Sequence, residues 1–130
     1  GKIQQSIDCY KKALEVPGVR EKAYTQLSLL YKRQGRWNVA KKLWLIMADK
    51  NINNLFALVE LAKYYEHRIK DFDEAIVVTQ RALEIAYKKK GLLGTVSKDE
   101  IGELKKRLAR INKKKMKAKH VCLGSNPFLK

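Results

Sequence analysis

Two stretches of the chain carry apolar or small side chains at the same helical spacing. Each has four such positions in the order i, i+3, i+4, i+7, which places them on one face of an α-helix. The first set is Tyr24, Leu27, Ser28 and Tyr31, and the second set is Leu58, Leu61, Ala62 and Tyr65. This spacing predicts two amphipathic helices, each of which turns one face toward a core.

A second pattern recurs in three other stretches, residues 3–15, 37–49 and 72–84. Each stretch has a small residue near its start. These residues are Ser6, Ala40 and Ala75, and they lie 34 and 35 positions apart. A small residue lets two helix backbones approach closely, and a bulkier side chain one turn later fills the space beside it. The period predicts helix pairs that stack on one another.

The repeated pattern resembles the tetratricopeptide repeat, whose signature is W-x2-L-G-x2-Y followed by A-x3-F. The first full unit has Tyr24-x2-Leu27-Ser28-x2-Tyr31 and then Ala40-x3-Trp44. The resemblance implies an all-α array of antiparallel helix pairs, an alpha-alpha superhelix, with a C-terminal capping helix. The expected segments are the second helix of a truncated repeat at 1–16, repeat units at 21–52 and 55–90, the capping helix at 97–118 and a flexible basic tail at 119–130.

Three segments are also similar to the C-terminal repeat region of a bacterial family: LSLLYKRQGRW, ELAKYYEHRIKDFDEA and ELKKRLARINKK. Proteins of that family carry a ribonuclease-H-like, 3′–5′ exonuclease-type domain before the repeats. The resemblance implies that this chain is the repeat part of a larger protein. Residues 1–15 match only the second helix of a repeat, so we expect a truncated unit; the alternative is an N-terminal helix that caps the stack. In a truncated unit, Ile3, Ile7 and Tyr10 lack one neighbour and offer a surface for self-association.

The end of the array has its own signals. After Ala86 the segment YKKKGLLGTV predicts a loop, and Ser97 with Glu100 forms a capping box that opens a new helix. The apolar stripe of this helix is Ile101, Leu104, Leu108 and Ile111. A helix with one apolar stripe and a basic outer face is suited to cover the exposed flank of the last repeat.

Charge is distributed unevenly along the 130 residues, whose net charge is +16. Residues 1–87 hold 15 basic and 10 acidic residues, a net of +5, whereas residues 88–130 hold 14 and 3, a net of +11. This asymmetry indicates an acidic partner for the last third of the chain. Two cysteines far apart in the sequence, Cys9 and Cys122, make a reducing, cytoplasmic setting the default. The hydrophobic pattern offers no membrane span.

Residues that could perform chemistry are sparse. The two histidines, His67 and His120, have no nucleophile and acid arranged near them in the sequence. His120 and Cys122 would supply two metal ligands, which do not close a site. Asp71, Asp73 and Glu74 are expected at the first turn of a helix, where acidic residues favour the helix dipole. We therefore predict a non-catalytic protein, with no metal and no cofactor.

In tetratricopeptide arrays the first helices of successive units line a concave groove. The resemblance implies that residues beside the inward-facing positions line the corresponding groove here and bind a protein or an acidic peptide. These residues are Lys22, Thr25, Gln26, Leu29, Lys32, Arg33, Phe56, Val59, Glu60 and Lys63. The alternative is an ordinary solvated helix face, or a face that docks onto the rest of a larger protein.

The basic C-terminal segment supports a second hypothesis, an accessory region that binds nucleic acid beside a nuclease domain. Its candidate phosphate contacts are Lys105, Lys106, Arg110, Lys113, Lys114, Lys115 and Lys117. Because residues 88–127 contain no aromatic side chain to stack on bases, such binding would be electrostatic, weak and non-specific. The competing interpretation is a solvated outer face on a capping helix.

Overall fold

A computed structural model describes residues 2–16 and 18–125, with side chains described as far as residue 119. Within these residues the chain forms six α-helices and one π-helix and contains no strand, which confirms the all-α expectation. The helices are α1 (Lys2–Ala13), α2 (Arg20–Arg33), α3 (Trp37–Asp49), α4 (Asn54–Lys63), the π-helix (Tyr64–Ile69), α5 (Phe72–Leu93) and α6 (Lys98–Ser125). The chain divides into two compact units, Gly1–Leu61 and Ala62–Lys130.

In the first unit, α2 packs against both α1 and α3. Gly35 lies in the turn between α2 and α3 and has φ +73°, a left-handed conformation that glycine adopts without steric cost. The small and bulky pair of α3, Ala40 and Trp44, is completely buried. Ile7 of α1 is buried as well, so the prediction that this position lies on a bare face is wrong. Ile3 on the same helix remains exposed.

In the second unit, the sequence EHRIKD (residues 66–71) predicts a bend one residue longer than the bend at Gly35 of the first unit. The structure has a π-helix there, Tyr64–Ile69. Its last turn is closed by a hydrogen bond from the Lys70 amide to the Tyr65 carbonyl, and Lys70 itself is left-handed with φ +60°. A π-turn accommodates one extra residue without leaving the helix. One extra residue in this segment matches the spacing of 35 between Ala40 and Ala75, against 34 between Ser6 and Ala40. His67, expected in a bend, lies within this π-helix with its side chain half exposed.

Helix α5 is longer than the sequence suggested, because the segment predicted to be a loop after Ala86 stays helical as far as Leu93. Gly91 is helical, and the helix ends instead at Gly94, whose φ of +63° allows its amide to bond the Lys90 carbonyl. At the other end, the Asp71 side chain caps the helix by accepting a hydrogen bond from the Glu74 amide. This confirms the expected place of the acidic residues at a helix start.

Helix α6 begins with the predicted capping box. The Ser97 amide donates to Glu100 at 3.1 Å, and the Glu100 amide donates to the Ser97 hydroxyl at 3.2 Å. Its apolar stripe packs on α5, with Ile101 and Ile111 buried. The prediction ended this helix at 118 and began a flexible tail at 119. The structure continues the helix to Ser125; residues 126–130 lie outside the described residues.

Candidate functional site

Helices α2 and α4 share one surface in the first unit, and two side-chain contacts join the segments. The Asn53 amide group, just before α4, donates to the Thr25 hydroxyl at 3.1 Å. The Lys32 ammonium donates to Glu60 at 2.8 Å. Both contacts link residues 28 positions apart. The second contact follows the first by two helical turns on each side, so the helices run in the same direction. We call the exposed part of these two helices the α2–α4 surface.

The predicted groove residues differ in their availability on this surface. Lys22 and Arg33 are exposed, whereas Glu60 is buried and holds Lys32 in an ion pair. The Thr25 hydroxyl is also engaged, since it donates to the Glu21 carbonyl at 2.9 Å. The half-buried members are Gln26, Leu29, Phe56 and Val59. Lys63, the last residue of α4, falls in the second unit.

A buried carboxylate, Glu66 of the π-helix, organises the second unit. Its side chain is 0% exposed and is surrounded by three cations of α6. Arg110 binds it with two parallel hydrogen bonds, of 2.8 and 3.0 Å, while Arg107 donates at 3.0 Å and Lys114 at 2.6 Å. These three cations are spaced i, i+3, i+7 and therefore project from one face of the helix. We call this group the Glu66 centre.

The charges of the Glu66 centre act on one another. Burial raises the pKa of Glu66, but hydrogen bonds from Arg110 and Lys114 outweigh this effect and lower the pKa to about 2. The bond to Glu66 in turn raises the pKa of Arg110. Next to them, burial and the nearby cations lower the pKa of His67, although the charge of Glu66 opposes this. Glu66 is consequently a permanent anion near neutral pH, held by an excess of positive charge.

Sequence reasoning missed Glu66, although one signal was available. The residue stands four positions after Ala62 and eight after Leu58, so it continues the inward-facing stripe of α4 by one more turn. An acidic residue at an inward position requires a cationic partner. The run of basic residues on α6 supplies that partner. Their proximity, however, depends on how α6 packs, because Glu66 and Arg110 are separated by 44 residues.

Some of the predicted nucleic-acid contacts are bound to other side chains of the second unit, and others are exposed on α6. Arg110 and Lys114 belong to the Glu66 centre, and Lys115 pairs with Asp73 at 2.5 Å, which lowers the pKa of that carboxyl group. Lys105 lies 5.5 Å above the Tyr87 ring, and Lys106 forms an exposed pair with Glu103. Lys113 and Lys117 are exposed on the outer side of α6. Part of the basic character of α6 thus serves to attach it to the rest of its unit.

An open concavity of about 520 Å³ lies where the π-helix leads into α5. It is lined by Ile69, Lys70, Asp71, Phe72, Asp73, Lys115, Ala118 and Lys119. Phe72, the first residue of α5, is half-buried in it, and Lys70 and Lys119 are exposed. We call this feature the Phe72 concavity. It combines apolar surface with positive charges from two separate segments.

The described side chains contain no group of three His, Cys, Asp or Glu residues that could hold a metal ion. His120 and Cys122, considered from the sequence as a pair of ligands, lie outside the described side chains. Among the described helices, none combines the length and the apolar character that crossing a bilayer requires.

These features define a class of protein: an all-helical chain with a surface shared by parallel helices in one unit and a basic face in the other. Among curated proteins, the chain matches the uncharacterized protein YprB of Bacillus subtilis (strain 168), with 35% identity over 97 residues. The match covers 73% of this chain and 22% of the relative, so the chain spans about a fifth of that protein's length. No protein-family model matches the chain, and no solved structure does.

Proposed function

We propose that the chain is a non-catalytic interaction scaffold built of tetratricopeptide-type helix pairs, and that the α2–α4 surface binds a protein or an acidic peptide. The observation that carries this proposal is a pair of contacts, Thr25 with Asn53 and Lys32 with Glu60, from which we infer that α2 and α4 run side by side in the same direction. In a tetratricopeptide array the first helices of successive units run side by side in this way. The burial of Ala40 and Trp44, the small and bulky pair of α3, is consistent with the same assignment.

The charge of the α2–α4 surface favours an acidic ligand. Lys22 and Arg33 are exposed on α2, and the one acidic residue among the predicted groove positions, Glu60, is buried against Lys32. A ligand carboxylate on this surface therefore meets exposed cations whose charges are not cancelled by Glu60. Half-buried Leu29, Phe56 and Val59 provide apolar contacts for the rest of a peptide.

Reversing two charges on α2 tests this proposal. We expect Lys22→Glu combined with Arg33→Glu to weaken binding of a fluorescent deca-glutamate peptide about tenfold, because each reversal replaces an attraction by a repulsion. Fluorescence anisotropy measures the affinity. Lys11→Glu combined with Lys12→Glu is the control, since it makes the same charge change on exposed positions of α1. Equal losses in the two variants would show that the peptide responds to net charge and not to the α2–α4 surface.

The basic outer side of α6 supports a second candidate function, accessory binding of nucleic acid. Its basis is the set of exposed cations that the Glu66 centre does not use, among them Lys113 and Lys117. We propose further that the chain belongs to a larger protein of the type with a ribonuclease-H-like domain before the repeats. The length of the matching Bacillus relative, of which 22% is covered, is consistent with additional domains in such proteins. In that setting, α6 would help to hold the substrate.

A salt titration tests the second function. We expect a random-sequence 20-nucleotide strand to bind at low salt, with log K falling linearly as log salt rises. Lys113→Ala combined with Lys117→Ala should reduce that slope by about two, because each lysine that contacts a phosphate contributes about one unit. The matched control is Lys11→Ala combined with Lys12→Ala. Absence of binding at low salt, or an identical slope for both pairs, would remove the assignment to α6.

A further inference from the structure

The Phe72 concavity supplies what the sequence of the basic segment lacked, an aromatic side chain beside its lysines. Residues 88–127 contain no aromatic residue, but the fold places Phe72 in the same concavity as Lys115 and Lys119. Ile69 and Ala118 add apolar surface, and Lys70 adds a third cation. The concavity is therefore both apolar and cationic.

Two carboxylates also line the concavity, and both have partners. Asp71 caps α5 by accepting from the Glu74 amide at 3.1 Å. Asp73 is bound by Lys115 at 2.5 Å. The charge of Asp73 is therefore compensated by Lys115, and Asp71 faces the positive end of the α5 dipole, while Lys70 and Lys119 are exposed at the same concavity. An anionic ligand could contact these two lysines without displacing either carboxylate from its partner.

The cations of the Glu66 centre extend this positive surface along α6. Arg110 is 45% exposed and Lys114 is 36% exposed, although both bind Glu66. Ala118 lies one turn beyond Lys114 on the same face of the helix and lines the concavity. The row from Arg107 to Ala118 spans roughly 17 Å at the helical rise of about 1.5 Å per residue. Glu66 thus holds three cations in a row along α6, and the row continues to Ala118 at the Phe72 concavity.

We propose that this surface binds single-stranded nucleic acid, with a base stacked on Phe72 and the backbone phosphates on Lys70, Lys119 and the cations of the Glu66 centre. Proteins that bind single strands combine a positive groove with aromatic stacking positions, because every nucleotide offers both a phosphate and a π-face. An acidic peptide offers carboxylates without a regular aromatic face, so it uses only half of the site. The inference rests on the second proposed function and adds to it a stacking residue and further phosphate contacts, those of Lys70, Lys119 and the Glu66 centre.

A pair of strands with equal numbers of phosphates provides the test. One strand is a 12-nucleotide oligothymidylate, and the other has the same backbone without bases. We expect Phe72→Leu to weaken binding of the thymidine strand about tenfold, since stacking on an aromatic residue contributes substantially per base. Binding of the abasic strand should not change, because leucine keeps the apolar contact and all phosphate contacts remain.

Tyr87→Leu serves as the matched control, since Tyr87 is also on α5, is 47% exposed and lies beside a lysine, but is not part of the concavity. Thermal melting of each variant confirms that the fold is retained. If the thymidine strand binds equally to wild type and to Phe72→Leu, the stacking role fails while the second proposed function stands. If neither strand binds at low salt, both fail. Binding of deca-glutamate that depends on Phe72 would identify a protein ligand and overturn the proposal.

Discussion

Replacing Glu66 by glutamine should lower the free energy of unfolding by about 3 kcal/mol. The carboxylate is completely buried and accepts hydrogen bonds from three cations, which a neutral amide cannot balance. Removing one member of a buried ion pair typically costs about 3–5 kcal/mol because the remaining charge is left uncompensated. Here we expect the lower end of that range, since Arg110 and Lys114 can turn toward water.

Urea denaturation at pH 7, followed by circular dichroism, measures this loss. The control is Glu103→Gln, which removes the acidic member of a largely exposed pair with Lys106 and should cost less than about 0.5 kcal/mol. Both substitutions make the same chemical change, so their difference reports mainly the burial and the hydrogen bonds of Glu66. If the two variants were equally stable, the buried network would not hold α6 in place.

The stability difference between wild type and Glu66→Gln should depend on pH. The pKa of Glu66 is lowered from 4.5 to about 2 in the folded chain, so its ionised form stabilises the fold above the unfolded pKa. That contribution is complete above about pH 4.5 and is lost as the pH falls toward about 2. Glutamine does not titrate, so the gap between the two proteins should narrow over this window. A gap that is constant from pH 6 to pH 2 would contradict the lowered pKa.

Replacing Trp44 by alanine should destabilise the first unit by about 3–5 kcal/mol. Trp44 is among the largest completely buried side chains, and it stands one turn after the equally buried Ala40 on α3. Alanine would leave a cavity there that the surrounding helices can only partly close. Trp44→Phe should cost much less. Phenylalanine keeps most of the volume and removes an indole N–H that has no hydrogen-bond partner within the described residues.

Amide hydrogen exchange over residues 20–49 measures this effect within the first unit. Trp37→Ala is the control, because Trp37 is half-buried at the start of α3 and its removal leaves a smaller cavity. We expect it to cost less than half as much as Trp44→Ala. Equal losses of stability at the two positions would mean that Trp44 does not fill the space beside Ala40 between the helices.

Several local features could be read directly from the sequence, because each depends on residues that are near one another in the chain. The capping box of Ser97 and Glu100 formed as expected, and Gly35 adopts the left-handed conformation in the turn between α2 and α3. The inward-facing residues Leu27 and Leu61 are buried, as their helical spacing required. The stacking of repeats and the ligand of the α2–α4 surface stay predictions.

Other features could not be found in this way. The loop predicted after Ala86 is helical because the chain can continue through Gly91 and use Gly94 to end the helix. From the sequence alone, Gly91 and Gly94 are equally plausible positions for the end of the helix. The π-helix depends on the packing of Tyr64–Ile69 within the second unit. The sequence spacing indicated only that this segment is one residue longer than its counterpart, and not which backbone conformation accommodates that residue.

By itself, the sequence determined the all-helical class, most helix starts and the excess of positive charge, since periodicity, capping and composition are local or additive properties. Only the tertiary structure decided which of those charges are exposed. The packing of α6 places Arg107, Arg110 and Lys114 on Glu66 and leaves Lys113 and Lys117 in solvent. It also places Lys119 in the same concavity as Phe72, 47 positions earlier in the chain. Contacts across such distances depend on which faces meet, which no local pattern specifies.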